Sequence, residues 1–282
     1  MTLYQIAEIF GHSTDNGTRK ARKDQAKRAC PFRKRRCAKG GKSDPLGVCS
    51  LSDGTSLATL CPNRFLEGSR IFVDVGRTVF GSGARVIAVP EVRILRIAKQ
   101  GSDGQIRSHR IGKVDFLIAK LDSRGVPSDF AALEIQAVYF SGPSVRQPFN
   151  HFMRRRVVPE GSARRPDWRS SAQKRLMPQL ALKIPVFRRW GKKFFVAVDS
   201  QFFGSLPRIK TVSSVANSEV TWLVYPFAKV GHRYEMGDPA ENFSTWDDVL
   251  TALREGVAPD PDEILQELLQ KKRQLNLPIH TT

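Results

Sequence analysis

One stretch constrains the fold more than any other: residues 130–140, FAALEIQAVYF, nearly all apolar yet interrupted by Glu134 and Gln136. A run this apolar reads as a strand buried on both faces, which needs neighbours at its edges and packed layers above and below. Side chains two apart share a face, so Glu134 and Gln136 point the same way. An unpaired buried carboxylate is costly, so Glu134 requires a partner such as a metal ion. The preceding apolar run, GKVDFLIAKL, holds one acid, Asp115, and the intervening DSRGVPSD contains Gly125 and Pro127, as a hairpin connection does. If the two strands pair, Asp115 and Glu134 converge on one divalent cation.

Further strands are expected at residues 85–89, 113–120, 193–199 and 221–226, all rich in Val, Ile and Phe between Gly, Pro, Ser and Asp. Helices are expected at 3–11, 168–182, 244–256 and 261–275. In the third of these, Ser244 with Asp247 or Thr245 with Asp248 can cap the start, and Gly256 can stop it. This order predicts an α/β (α+β) core, a mixed sheet flanked by helices. No internal repeat is visible.

The charge balance bounds the partner. The 282 residues carry 46 Lys+Arg against 27 Asp+Glu, a formal +19. Such a field attracts polyanions, and nucleic acid is the partner it fits, through phosphate neutralisation and counterion release. Residues 1–45 alone hold 12 Lys/Arg and 4 Asp/Glu. A membrane surface would also attract this charge, but no basic amphipathic anchor is visible, and no run approaches the ~20 apolar residues a bilayer span needs. Residues 1–10 lack a basic segment followed by an apolar core, so a cytoplasmic, soluble protein is expected.

In that compartment thiols stay reduced, and four cysteines read as ligands before disulfides. Cys30, Cys37, Cys49 and Cys61 fall within 32 residues, spaced C-x6-C-x11-C-x11-C. Four thiolates can surround one tetrahedral ion, and sulfur ligation suits zinc, a single iron or an iron–sulfur cluster. With four protein ligands such a site is structural, because no position is left open for substrate. The nearby Lys and Arg are expected to lower the thiol pKa values, and Gly47, Pro31 and Pro62 to form tight turns that aim amides at sulfur. The expected division is therefore residues 1–66, a basic arm with a four-cysteine metal-binding module, and 67–282, the catalytic core.

Two carboxylates on a hard cation are what phosphodiester hydrolysis needs: the cation polarises the phosphate and lowers the pKa of a bound water. Asp, some twenty residues, then Glu-x-Lys is the PD-(D/E)XK nuclease pattern, with Gln136 here where Lys usually stands. Glu91 is a candidate for additional ligation. The segments IAEIFGH (6–12), Cys30-Pro31-Phe32, GVCSL (47–51), CPNRFL (61–66) and LEIQAVYFSG (133–142) together resemble the NotI-like type II restriction endonucleases, in the same order. RSSAQKRLMPQLALK and WGKKFFVAV look like the helix and strand that follow. The resemblance implies a homodimeric, magnesium-dependent endonuclease cutting double-stranded DNA at a G+C-rich palindrome. It implies iron on the four cysteines, a catalytic set of Asp115, Glu134 and Gln136, and Gln in place of Lys as the family's own variant.

Arginine reads guanine bidentately, so a G+C-rich site wants arginines beside the active site. The segment holding Arg146, Arg154, Arg155, Arg156, Arg164, Arg165 and Arg169, with Asn150 and His151, is the candidate reader, and residues 19–36 the candidate phosphate grip. Two rivals share part of this evidence. A non-catalytic DNA-binding regulator with a structural zinc module would share the charge and the cysteines but has no use for acids in apolar strands. An iron–sulfur repair nuclease would show broad visible absorption and little sequence specificity.

Overall fold

The structure, a computed structural model, describes residues 3–275 other than 42, 101, 103, 104, 143, 161, 163 and 255–258. Its elements in chain order are β1 (Gln5–Ile9), α1 (Arg19–Ala26), β2 (Val48–Ser52), β3 (Leu57–Thr59), α2 (Arg70–Phe80), β4 (Val86–Gln100), β5 (Ile106–Leu121), β6 (Pro127–Ile135), α3 (Arg146–Arg155), α4 (Met177–Arg189), β7 (Phe194–Asp199), β8 (Val220–Tyr225), β9 (Ala240–Ser244), α5 (Trp246–Arg254) and α6 (Pro261–Leu275), besides shorter turns and bridges. Six strands form the central sheet in the order β9-β8-β7-β6-β5-β4. β4, β5 and β6 are antiparallel neighbours, β6, β7 and β8 run parallel, and β9 returns antiparallel at the edge. This is the expected mixed α/β architecture.

The innermost strands explain themselves. Every residue of β7 (FFVAVD) and β8 (VTWLVY) is buried, as continuous apolar runs in the parallel part of a sheet covered on both faces must be. One face packs on α3, α4 and α5 through Phe149, Leu180, Ile184, Phe187, Val249 and Leu253. The other packs on α2 and the preceding turn through Phe65, Ile71 and Val75. α5 begins at the expected Thr245 cap: the Asp248 amide donates to Thr245 Oγ1 (3.2 Å), and the Thr245 hydroxyl donates to Asp248 Oδ2 (2.6 Å). The expected stop at Gly256 lies outside the described residues.

The first expected helix is instead a strand. β1 pairs with β2, and the register slips on each side of Glu8. These irregularities break the period-two alternation, so Ile6, Ile9 and Phe10 recur at a spacing that resembles a helix face. Glu8 sits fully buried at the slip, accepts from Ser50 Oγ (2.7 Å) and pairs with Arg64 Nε at 3.0 Å. The Arg64 guanidinium lies 4.8 Å from the ring centres of both Phe32 and Phe227. Residues 1–66 do not have a core of their own: Tyr4, Ile6, Ile9, Val48 and Leu51 join one cluster with Ala132, Phe194 and Val196. Asp199, at the end of β7, ties the two parts by accepting from the Thr59 amide (2.8 Å) and the Phe202 amide (2.7 Å).

β4 and β5 are far longer than the sequence pattern suggests. They pair over residues 86–100 and 106–120, whereas β6 pairs with β5 only at residues 116–121. The remainder is a two-stranded ribbon that runs about 30 Å past β6, at roughly 3.3 Å per residue. Among the described residues no helix is long and apolar enough to cross a membrane.

Candidate active site

The register of the sheet builds the site. Pro90 pairs with Phe116 and Val92 with Val114, which brackets Glu91 and Asp115. Phe116 pairs with Leu133, so one residue further along Asp115 meets Glu134, and Glu134 pairs with Val196 across β7. Three acids from three adjacent strands thus lie on one line across the sheet. At Asp115 the ladder opens: its carboxylate Oδ2 takes the Ile135 amide at 2.9 Å, where a strand carbonyl would otherwise stand. Glu134 Oε1 in turn accepts from the Asp115 amide at 3.2 Å. The expected pairing of Asp115 and Glu134 is therefore present.

Glu134 is 4% exposed. Burial, then the neighbouring Asp115 charge, pushes its carboxyl up from 4.5 to about 7. What offsets these is a cation from α4: Lys183 Nζ donates to Glu134 Oε1 at 2.6 Å and to Gln179 Oε1 at 3.0 Å. Lys183 is absent from the sequence-based candidates, although a signal existed. Within LMPQLALKIPVF (176–187), Gln179 and Lys183 are the only polar side chains, four apart and so on one helix face.

Gln136 lies just past the end of β6, 8% exposed, with its amide donating to Ala197 O at 2.9 Å and its side-chain Nε2 to Ala137 O at 2.6 Å. The strand expected to reach residue 140 ends at Ile135, and the chain turns to hydrogen-bond the Val138 amide to Thr59 O of β3. Glu91 stands in the left-handed region, φ 59°, in the middle of a long strand. A non-glycine residue held there costs of order 1–3 kcal/mol, and such strain gathers at functional sites. Its carboxylate is exposed and pairs with Lys113 Nζ at 3.1 Å. Glu91 and Asp115 line one cleft of about 380 Å³, and Arg33, Arg35 and Asn63 of the cysteine module form its opposite wall.

The cysteines are all free, with Cys30, Cys49 and Cys61 buried and Cys37 partly so. The amides of Phe32 and Arg33 hydrogen-bond Cys30, that of Lys39 bonds Cys37, and that of Gly11 bonds Cys49. The thiols are close enough for their charges to interact: Cys61 acts on Cys30, Cys37 and Cys49. Where the sequence suggests lowered thiols, Cys30, Cys37 and Cys49 are shifted up, first by burial and then by neighbouring charges, chiefly Cys61, because desolvation outweighs the backbone amides and, at Cys37, the Lys39 charge. Lys39 Nζ reaches back to Leu60 O at 2.5 Å beside three of the cysteines. Gly47 meets Cys49 through its carbonyl, which accepts from the Cys49 thiol at 3.5 Å, and a Cβ there would stand 2.4 Å from the buried Phe10 ring, so the residue also leaves room. Among the described residues, no three His, Cys, Asp or Glu side chains are grouped to hold a metal ion as they stand.

The candidate reading arginines do not share one surface. Arg146 pairs with Asp44 Oδ2 at 2.7 Å and Arg156 donates to Gln25 Oε1, both joining α3 to the N-terminal part. Arg164 is buried and donates to the Ser162 and Ser144 carbonyls. Arg154 and Arg155 border a shallow hollow with Gln147, Asn150 and His151. Arg165 and Arg169 line two further clefts beside Trp168. Beside the carboxylates stand instead Arg33 and Arg35, which line the same cleft, and Lys113, which pairs with Glu91; Arg93 and Arg96 follow further along the ribbon.

Comparison with known proteins supplies an independent line. No curated protein matches the chain. The family described as "Restriction endonuclease NotI" matches residues 9–236, a span that includes all four cysteines, the three aligned acids and Lys183. With four-fifths of its length so matched, the chain belongs to the NotI restriction endonuclease family and is a type II restriction endonuclease, an enzyme that cuts DNA.

Proposed function

We propose that this endonuclease hydrolyses double-stranded DNA at a G+C-rich palindrome with magnesium, as a homodimer, on a PD-(D/E)XK core. The observation that carries the reading is the alignment of Glu91, Asp115 and Glu134 across three strands, with Glu134 buried. Carboxylate oxygens are the donors a hard cation takes, and magnesium uses one or two of them, with water and phosphate completing its shell. Asp115 and Glu134 would hold it, with Glu91 as the third candidate. Bound there, the ion supplies Lewis-acid polarisation of the phosphate and a water of lowered pKa. Asp115 and Glu134 fix where the scissile phosphate sits, and Gln136 offers an uncharged hydrogen-bonding group at the same strand end. Two copies related by a two-fold axis would present one centre to each strand of a palindrome.

The four cysteines would hold a structural iron or zinc. Their fit rests on the donor set: four free thiols in mutual electrostatic contact, met by backbone amides that favour thiolate sulfur. Arg154 and Arg155 remain candidate base readers. The phosphate grip is assigned to Arg33, Arg35 and the basic ribbon.

The test is digestion of a long G+C-rich DNA of known sequence with magnesium and with EDTA. Discrete fragments in magnesium alone support the reading and map the site; intact DNA in both sinks it. In a binding assay with calcium, Arg93→Gln, Arg96→Gln and Lys113→Gln together should lower the salt slope of DNA binding by about three. An unchanged slope refutes the ribbon as a phosphate grip.

A further inference from the structure

The Glu134-x-Gln136 triplet lacks the lysine that usually stands two residues after the glutamate. We propose that Lys183, delivered from α4, is the positioning residue that supplies the missing ammonium to the Asp115–Glu134 centre. The inference rests on that centre being the site of cleavage and goes beyond it by naming how the ammonium arrives.

Four observations carry it. The ammonium lies 2.6 Å from Glu134 Oε1, the same carboxylate the strand register places beside Asp115. Lys183 and Glu134 are 3% and 4% exposed, so this is not a surface ion pair. Gln179, one turn earlier, takes a second donor at 3.0 Å and fixes the ammonium's approach. Of the three N–H donors of a lysine, one is then left for an attacking water or a phosphate oxygen.

Energetics separate this from a structural role. Removing two charges from water costs more than their attraction usually returns, and apolar replacements of a buried pair are often neutral or stabilising. A chain needing only to fill this space between α4 and β6 would do so with apolar residues, as it does at Leu180, Ile184 and Ala132 around it. The helix reaches the centre through an unusual start: the seven residues before it, Ser170–Leu176, form a π-helical turn. Such turns shift the face that follows, and they recur at functional sites.

Lysine at the helix position and lysine at the strand position would serve one carboxylate from two directions. That makes relocation the discriminating experiment. Lys183→Met should lower kcat by about 10²–10³ and leave KM and DNA affinity in calcium within about threefold, while the melting temperature falls because Glu134 is left buried without its cation. Adding Gln136→Lys to Lys183→Met should restore kcat at least about tenfold over Lys183→Met alone. A merely structural lysine predicts the lower melting temperature with parental kcat, and no gain in rate from a lysine on another element. Lys183→Arg keeps the charge and guards against a folding failure; it should melt like the parent and retain kcat within about tenfold. The proposal is overturned by a Lys183→Met enzyme of parental kcat, or by a double variant no faster than Lys183→Met. Glu134→Ala run alongside keeps the two readings apart. A dead Glu134→Ala with an active Lys183→Met rejects the lysine and keeps the centre, whereas an active Glu134→Ala rejects the centre itself.

Discussion

The segment that carries the cysteines and the carboxylate centre share one cleft, where Arg33, Arg35 and Asn63 meet Glu91 and Asp115, yet the two regions are encoded in different ways. The four cysteines lie within 32 residues, so their convergence follows from short loops. The centre draws Glu91, Asp115, Glu134 and Lys183 from four elements spread over some ninety residues, and only the sheet register and one helix position assemble it. The module is therefore expected to act through stability and the centre through rate.

The largest effect should come from the centre. Asp115→Ala and Glu134→Ala should each lower the cleavage rate at least about 10³-fold, since each removes a carboxylate from the proposed ion site. Salt-sensitive DNA binding should survive both changes, because neither removes a basic group. Gel-based cleavage beside fluorescence anisotropy in calcium measures the two quantities. Parental cleavage by either variant would remove that residue from the centre; loss of binding along with cleavage would blur the separation between rate and structure.

Next comes the module. A structural metal contributes folding free energy, so Cys49→Ser should lose bound metal and stability together, by several kcal/mol. Elemental analysis, an optical spectrum and a melting curve are the readouts. A single iron on four sulfurs, a colourless zinc and a cluster with broad visible absorption are distinguishable in the same sample. Full metal content at an unchanged melting temperature would show that the cysteines are not ligands. Gly47 belongs to this argument too. Beside its contact with the Cys49 thiol, the Phe10 ring packs where a side chain would stand.

That contrast shows where the sequence was legible. The strands at residues 130–135, 193–199 and 221–225 were recoverable because an unbroken apolar run has few other readings. Glu134 stood out as an exception inside one of them. Lys183 carried the same signal, a charge isolated in an apolar run, but a helix tolerates lysine at its surface and the run alone does not say which face is buried. β1 was misread because two register slips disturbed its alternation. The ribbon escapes the sequence pattern because basic residues three apart, such as Arg93 and Arg96, interrupt its apolar run, and it does not look like a buried strand. The arginines at 146, 156 and 164 look identical to readers in sequence, yet each is already committed to Asp44, Gln25 or the carbonyls of Ser162 and Ser144.

A smaller, pH-dependent effect sharpens the comparison from the stability side. Glu134 has its folded-state pKa raised from 4.5 to about 7, chiefly by burial. A carboxyl that binds its proton more tightly when folded contributes stability that is present below about pH 4.5 and is lost as pH rises to about 7. For this group the loss is about 3 kcal/mol over that window, in metal-free protein. Asp199, raised by burial from 3.8 to about 6, acts in the same direction at lower pH. Glu134→Gln should therefore flatten the upper part of the pH–stability curve and leave the part due to Asp199. Denaturant unfolding in EDTA between pH 4.5 and 7.5 tests it; superimposable curves for parent and variant would mean that Glu134 is not buried as described. The centre then costs the fold stability, where the module adds to it.

The smallest effect isolates the third acid on the register line. Glu91 holds a left-handed backbone at φ 59°, and its ion pair with Lys113 is solvent-exposed on both sides. Glycine takes that conformation freely, so Glu91→Gly should raise stability by about 1 kcal/mol, because an exposed pair returns little when lost. If Glu91 also helps hold the ion, the same change should slow cleavage about tenfold. Glu91→Gln separates the two effects: it keeps the strained backbone and removes only the charge, so it should share the slower cleavage but not the added stability. Stabilisation without any loss of rate in the glycine variant would mean that the strain serves the turn of the ribbon. Slower cleavage in both variants would place all three aligned acids in the centre, with the strain at Glu91 as the cost of aiming the third.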